Sequence, residues 1–256
     1  RRSATVIAGA NCVLVETPRR SMNKLINSVE LVLNQFKNSK KTQISNDDVM
    51  SVLQETMALY DKDGEMHYDI ISAFIKSMRG SDPNATVYWL ARMLVGGEDI
   101  KFIARRMLIL AAEDIGLANP NALVMANNCF QAINVIGNPE ARIILSETAV
   151  YLAVSPKSNS TYSAINEAMA FVKKTGNLPV PLHLRNAPTK LMKELGYGRE
   201  YRYAHDEPNA YAAGESYMPD GLDEPDFYQP VPRGLEIKIG EKLEWLKSLD
   251  EEALKE

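Results

Sequence analysis

Two adjacent carboxylates are the first side chains in this sequence that could do chemistry. Glu113 and Asp114 close an apolar helical segment that also carries Arg105 and Arg106. Paired carboxylates can act as general acid and general base, whereas carboxylates beside arginines at a helix end more often form an ion-pair network. We therefore favour the ion-pair interpretation for this cluster.

A hydrolytic triad can also be assembled, with Ser155 as the nucleophile and His183 as the base. The sequence has no G-x-S-x-G nucleophile elbow, and His183 lies in an irregular segment where we expect a hydrogen-bonding role. An independent helical enzyme that uses Glu113, Asp114 and His183 is therefore a weak alternative. We predict no catalytic residue in this chain.

Motifs for nucleotide or metal binding are absent from the sequence. It contains neither G-x-x-x-x-G-K-[ST] nor G-x-G-x-x-G, so no residues are expected to cradle a phosphate. Cys12 and Cys129 are far apart and the histidines are scattered, which indicates neither a disulfide scaffold nor a zinc site. We expect no metal site and no cofactor in this chain.

Basic side chains alternate with tyrosines late in the chain. Phosphate contacts combined with aromatic stacking would suit single-stranded nucleic acid, whereas the alternative is a solvated helix face with tyrosines packed on the body. The net charge of −4 argues against a strongly basic nucleic-acid module but leaves a local basic face open. Segment 185–203 carries Arg185, Lys190, Lys193, Arg199 and Arg202, interleaved with Tyr197 and Tyr201.

One short segment concentrates residue types that are enriched in the cores of protein interfaces. It contains Tyr88, Trp89, Arg92 and Met93. Alternate turns of a helix could serve the core and a subunit interface. In the other interpretation, Trp89 and Met93 simply fill the core. The sequence leaves both interpretations open.

The pattern that must position these residues is helical almost throughout. Apolar residues recur at helical spacing, and Ser45–Asp48 has the form of a capping box. Asp82-Pro83, Asn119-Pro120 and Asn138-Pro139 each pair an N-cap residue with proline, which predicts helices beginning near 82, 119 and 138. The helix predicted near 119 is expected to carry an apolar stripe that includes Leu123 and Val124. The helix predicted near 138 is expected to carry one that includes Ile143. A further helix over about 157–175 carries Tyr162, Ile165, Met169 and Val172.

The last third of the chain changes character. Between 176 and 232 there are eight prolines and many tyrosines, with one short helical pattern over 188–195. Such a stretch is typical of a functional arm or of a segment that wraps the body. A final helix with Leu235, Ile239, Leu246 and Leu249 follows. We predict an all-α fold with a long irregular arm rich in proline and tyrosine.

Length and composition bound the remaining possibilities. The chain has 256 residues, of which 45% are hydrophobic, so it can bury a sizeable core as one large or two small domains. It has no run of ~18 apolar residues, so we expect no membrane-spanning helix. We expect the protein to be cytoplasmic.

Several strings are specific enough to carry a family resemblance. They include Lys76–Pro83, Tyr88–Met93, Ala112–Ala118, Ser155–Ser158 and Leu178–Met192. Together they closely resemble the C-terminal part of the replication-associated recombination protein A family, also described as maintenance-of-genome-stability protein A. These proteins are AAA+ ATPases related to the eukaryotic Werner-helicase-interacting ATPase. The resemblance covers about residues 24–245.

The resemblance implies a helical lid remnant followed by a multi-helix oligomerisation domain. The lid maps onto residues 1–80, of which 1–18 match nothing in the family, and the homotetramer-forming domain maps onto 81–256. The ATPase core with its Walker motifs would precede Arg1, so the chain is expected to be inactive alone. The alternative is a binding module for single-stranded DNA or a partner protein, which would use the basic, tyrosine-rich arm 185–203.

The resemblance also implies what the parent proteins do. They use ATP and Mg²⁺, act at stalled or damaged replication forks, and bind DNA and single-strand-binding protein near the nucleoid. The family's lid helix opens with Gly-Asp-Ala-Arg, whose arginine is the second nucleotide sensor. Here the aligned residue is Asn23, which has no positive charge to offer a phosphate. Either Arg19 or Arg20 stands in, or the contact is lost.

Overall fold

A computed structural model describes residues 65–222 and 225–255, and the short pieces 32–33, 36–37, 45, 47–49 and 51. Regular structure within these residues is helical and includes no strand, which confirms the all-α prediction. The helices are α1 (Glu65–Arg79), α2 (Pro83–Val95), α3 (Ile100–Leu110), α4 (Asn121–Ile136), α5 (Ala141–Val154), α6 (Ser160–Thr175), α7 (Lys190–Glu194) and α8 (Glu236–Ala253).

Helices α1 to α5 surround one hydrophobic core. Helix α2 packs between α1 and α5, and α4 packs between α3 and α5. Fully burying a large apolar side chain contributes about 1.5–3 kcal/mol, so this core supplies most of the driving force for folding. Its largest side chains, each under 2% exposed, include Phe74, Met78, Met93, Ile103, Met107, Leu110, Ile133, Leu145 and Leu152.

Two of the predicted helix caps are present. The Asp82 carboxylate accepts a hydrogen bond from the Ala85 N–H at 2.9 Å, with Pro83 in the first turn of α2. Ser45 and Asp48 form the reciprocal bonds of a capping box, because the Asp48 N–H donates to Ser45 Oγ at 3.2 Å and the Ser45 N–H donates to Asp48 Oδ2 at 3.0 Å.

The N-cap predictions at Asn119 and Asn138 are wrong. Helix α4 begins at Asn121, and the Asn119 amide instead donates to the Tyr151 hydroxyl at 3.0 Å and to Ser155 Oγ at 3.1 Å. Helix α5 begins at Ala141, whose N–H donates to the Gly137 carbonyl at 2.9 Å. Tertiary and backbone partners therefore replace the local cap in both places.

Helix α4 buries a different face from the one that its largest apolar residues suggest. Leu123 and Val124 are 46% and 57% exposed, whereas the buried positions are Ala122, Ala126, Cys129 and Ile133. On α5, Ile143 of the expected stripe is likewise exposed. Small residues on the inner face bring α4 close to its neighbours, and larger residues are left at the surface.

The segment after α6 contains little regular structure, as predicted. It holds the five-residue helix α7 and three single 3₁₀ turns, at Leu182–Leu184, Ala204–Asp206 and Pro208–Ala210. Helix α8 then runs for 18 residues and includes the predicted Ile239, Leu246 and Leu249. Of the helices in the described part, none has both the length and the apolar character needed to cross a membrane.

Candidate interaction surfaces

An open apolar groove lies between α2 and α5. It encloses about 420 Å³. Ile143 and Val87 at this site are 58% and 37% exposed, so the groove presents apolar surface to solvent. Its lining residues are Val87, Leu90, Ala91 and Leu94 from α2, with Arg142, Ile143, Ser146 and Glu147 from α5.

The interface candidates on α2 divide between the surface and the core. Tyr88 is 57% exposed, and its ring meets Trp89 edge-on at 5.0 Å. The Arg92 guanidinium lies 5.3 Å from the centre of the Trp89 ring, and Trp89 is partly buried against the core. Met93 is fully buried, so it fills the core and is not available to contact another chain. Tyr88, Trp89 and Arg92 remain candidates.

Two of the predicted basic arm residues, Arg202 and Arg185, make contacts within the arm, although the Arg202 side chain is still 40% exposed. The Arg202 guanidinium donates to both oxygens of Glu207, at 3.0 and 2.8 Å, and to the Ala213 carbonyl at 2.7 Å. The hydrogen bond from Arg202 lowers the pKa of Glu207. Arg185 donates to the Val180 carbonyl at 2.6 Å and lies over the Tyr197 ring at 5.1 Å. Both guanidinium groups therefore already have hydrogen-bond acceptors within the arm.

The other three predicted cations are exposed. Lys190, Lys193 and Arg199 lie at the surface, and Lys190 approaches Glu194 at 3.8 Å. Tyr201 and Tyr203 are 49% and 54% exposed. Exposed cations and aromatic rings therefore do occur in one stretch of the arm, together with the acidic Glu194 and Glu200.

The carboxylate pair has a structural partner that the sequence did not suggest. Asp114 accepts two hydrogen bonds from Arg79, at 2.6 and 3.0 Å, and this contact raises the pKa of Arg79. Arg105 instead approaches Asp99, at 3.8 Å. The favoured interpretation as an ion pair is thus right for Asp114, with Arg79 in place of the neighbouring arginines.

His183 has partners of its own within the arm. Its Nε2 atom lies 3.1 Å from the Glu215 carboxylate and 3.0 Å from the Ser216 carbonyl. Neither contact involves Glu113, Asp114 or Ser155. In the part of the chain that the structure describes, no group of three or more His, Cys, Asp or Glu residues could hold a metal ion. The positions discussed for the nucleotide sensor, Arg19, Arg20 and Asn23, lie outside the described residues.

Lys157 joins two segments at one end of the bundle. Its ammonium donates to the carbonyls of Leu152, Ala153 and Ser155, at 3.1, 2.8 and 2.6 Å, and so caps the C-terminus of α5. It also donates to Ser81 Oγ at 3.2 Å, which ties α5 to the turn before α2. Burial lowers the pKa of Lys157, and the Asp114 carboxylate acts in the opposite direction.

The buried carboxylate of Glu236 anchors the C-terminal helix. It was not among the residues predicted from the sequence. Glu236 is 1% exposed and accepts hydrogen bonds from the Ser160 hydroxyl, from the Tyr228 hydroxyl at 3.0 Å and from the Val231 N–H at 3.2 Å. Burial by itself raises the pKa of Glu236, but hydrogen bonds from Ser158, Ser160, Val231 and Tyr228 lower it by more. Burial and the bond to Glu236 raise the pKa of Tyr228 to about 12.

Comparison with known families gives two matches that meet between residues 79 and 80. Residues 80–247 match the family described as MgsA AAA+ ATPase C terminal. Residues 8–79 match the family described as AAA C-terminal domain. Together these segments cover nearly the whole chain.

Curated relatives carry names from replication and recombination. The chain is 46% identical over 246 residues to replication-associated recombination protein A of Haemophilus influenzae, covering 95% of the chain and 55% of that protein. It is 51% identical over 201 residues to the Coxiella burnetii protein of that name, covering 78% of the chain and 46% of that protein. It is also 44% identical over 179 residues to ATPase WRNIP1 of Dictyostelium discoideum, covering 70% of the chain and 20% of that protein. The chain spans about half the length of the two bacterial relatives.

Proposed function

The chain belongs to the MgsA AAA+ ATPase C-terminal family, and from this we propose that it supplies the lid and the homotetramerisation domain of a replication and repair ATPase. The observation that carries the proposal is the match over residues 80–247 to a family defined as the C-terminal part of such an ATPase. The meeting of the two matched segments at 79 and 80 supports a division into a lid up to residue 80 and an oligomerisation domain from 81.

In this proposal, none of the described residues is catalytic. The sequence has no P-loop, and the charged groups with resolved partners, such as Asp114 and Glu236, bond to structural neighbours. We therefore assign ATP and Mg²⁺ to the parent protein. Its action on stalled or damaged forks, its binding of DNA and single-strand-binding protein, and its cytoplasmic, nucleoid-associated location belong to the same proposal.

The groove between α2 and α5 supports the oligomerisation part. Exposed apolar surface that is continuous with a cavity is typical of a site that another protein covers. Tyr88, which is half exposed, and Ile143 in the groove are large side chains suited to the centre of such a contact. We propose that this face, named the α2–α5 face, forms one contact between subunits.

A charge placed in the α2–α5 face tests the contact. Ile143→Glu should lower the mass measured by native mass spectrometry from four chains to two, because the contact would have to bury a charged carboxylate in place of an apolar side chain. Val135→Glu, at a position on α4 that is 86% exposed, is the matched control and should keep four chains. Four chains in the Ile143→Glu variant would exclude this face as a contact.

The arm supports a second candidate function, in which segment 185–203 binds single-stranded DNA. The supporting observation is the exposure of Lys193, Arg199, Tyr201 and Tyr203. Fluorescence anisotropy with a labelled oligonucleotide should then show affinity that falls with salt and that falls further in Lys193→Gln/Arg199→Gln. Binding that is unaffected by this double substitution would contradict the arm as the site.

A further inference from the structure

Helix α6 presents an apolar stripe that the described part of the chain leaves exposed. Tyr162, Ile165, Met169 and Val172 are 47%, 57%, 52% and 57% exposed. The helix packs against the turns Ala111–Ile115 and Gly116–Ala118, and the Phe171 ring meets Phe227 of the arm edge-on at 5.6 Å. The helix is therefore held in place by one face and displays the stripe on the other.

The spacing of the stripe is that of a helix–helix seam. The four residues are separated by three, four and three positions, which corresponds to alternating a and d positions of a heptad. Side chains at these positions interlock with those of a second helix in knobs-into-holes packing. Glu167, the acidic residue of this helix, occupies the f position, furthest from the seam.

We propose that α6 pairs antiparallel with α6 of a second copy of this chain, an inference that rests on the proposed tetramer and adds a second subunit contact to it. A two-fold axis through the middle of the helix would place Tyr162 opposite Val172 of the second copy, and Ile165 opposite Met169. The largest side chain of the stripe then meets the smallest, and the two middle ones meet each other. The stripe is thus complementary to its own reverse, as a contact across a two-fold axis requires.

The charges of α6 favour the antiparallel arrangement. Lys173 and Lys174 lie in the last turn, and the first turn carries no acidic side chain. Parallel pairing would place the lysines of both copies side by side. Antiparallel pairing separates the two Lys173 positions by roughly 18 Å along the axis at 1.5 Å per residue, which exceeds the Debye length of about 8 Å at physiological salt.

The area of the stripe is too small for a complete dimer interface. It fits one of two subunit contacts that together hold the tetramer. Its four exposed side chains offer on the order of 400 Å² per copy, about half of the roughly 800 Å² that each partner buries in a standard interface. A tetramer with dihedral symmetry needs at least two different two-fold contacts, which share the burial. The α6 stripe and the α2–α5 face would be these two contacts.

Charges placed in the stripe test the inference. Ile165→Glu/Met169→Glu should lower the light-scattering mass from four chains of 28.5 kDa to two. Adding Ile143→Glu should lower it to one, because both contacts would then be lost. Val135→Glu remains the control with four chains. Circular dichroism should show unchanged helicity in each variant, since all the substituted side chains are about half exposed or more.

The outcomes separate this inference from the proposed function. A tetramer that survives Ile165→Glu/Met169→Glu would overturn the α6 contact and leave the tetramerisation proposal standing. An unaltered chain that is monomeric would overturn both. If the double variant lost helicity, cysteine cross-linking would decide. In a Cys12→Ser background, coexpressed Ile165→Cys and Met169→Cys chains should form disulfide-linked dimers several-fold more than either variant alone, and equal yields would overturn antiparallel pairing.

Discussion

At the scale of single residues, the Glu236 carboxylate makes a clear contribution to stability. It accepts hydrogen bonds from two hydroxyls and a backbone N–H although it is 1% exposed. Glu236→Gln keeps the volume but replaces one acceptor oxygen with a donor group. We expect the free energy of unfolding at pH 7 to fall by about 2–3 kcal/mol in urea titrations, because hydrogen bonds to charged groups are worth ~1.5–3 kcal/mol. Glu244→Gln, exposed on the same helix, should change it little.

The same carboxylate predicts a dependence on pH. The pKa of Glu236 is lower in the folded chain than its ordinary value of 4.5, so the unfolded chain takes up the proton first as the pH falls. Its stabilising contribution is therefore complete above pH 4.5 and is lost as the pH falls through the lower folded pKa. Urea titrations of the unaltered chain and Glu236→Gln should converge in acid. A constant difference down to pH 3 would contradict this.

Substitution of Gly234 should destabilise the fold more than substitution of a glycine that has open space around it. Its φ is +56°, and an added Cβ would overlap the Ala118 carbonyl oxygen, which accepts a hydrogen bond from the Leu235 N–H at 2.9 Å. Gly234→Ala should lower the free energy of unfolding by about 3 kcal/mol or more, because backbone strain and the overlap with the carbonyl add. Gly137→Ala, at φ +71° with open space around it, should cost about 1–2 kcal/mol from strain alone. Equal melting temperatures of the two variants would contradict the overlap.

At the scale of elements, the arm depends on the Arg202 guanidinium. Arg202→Gln removes the paired contact to Glu207 and the bond to the Ala213 carbonyl. Chymotrypsin should then cleave at the exposed Tyr201, Tyr203 and Tyr217 several-fold faster, because cleavage follows the population of the opened segment. Arg199→Gln, at an exposed position, is the control and should be cleaved at the unaltered rate. Equal rates for both variants would show that Arg202 does not hold the arm.

The elements also show where local sequence patterns succeed and where they fail. Asp82 caps α2 as predicted, because its nearest donors are the N–H groups of its own helix. Asn119 has the same Asx-Pro pattern, but its amide bonds to Tyr151 and Ser155, which only the fold brings near. The partner of Asp114 is likewise distant in sequence, at Arg79. A local pattern cannot distinguish these competing long-range partners.

At the scale of the whole molecule, the family and the all-α class could be predicted from sequence strings and helical spacing. Which apolar side chains lie at the surface could not be predicted, because apolar spacing identifies one face of a helix without showing what packs against it. Met93 and Tyr88 are near neighbours on α2, yet one is buried and the other is half exposed. The stripe on α6 has the spacing of a core face, and the structure places it outside. Both differences are set by which helices pack together.

The most direct test of tetramer formation is the light-scattering mass of the unaltered chain over a hundredfold range of concentration. The chain mass of 28.5 kDa is the unit. We predict a mass of four chains at high concentration, with two-chain species on dilution, because the two proposed contacts differ. A mass of one chain at every concentration would contradict the assignment of this region as an oligomerisation domain.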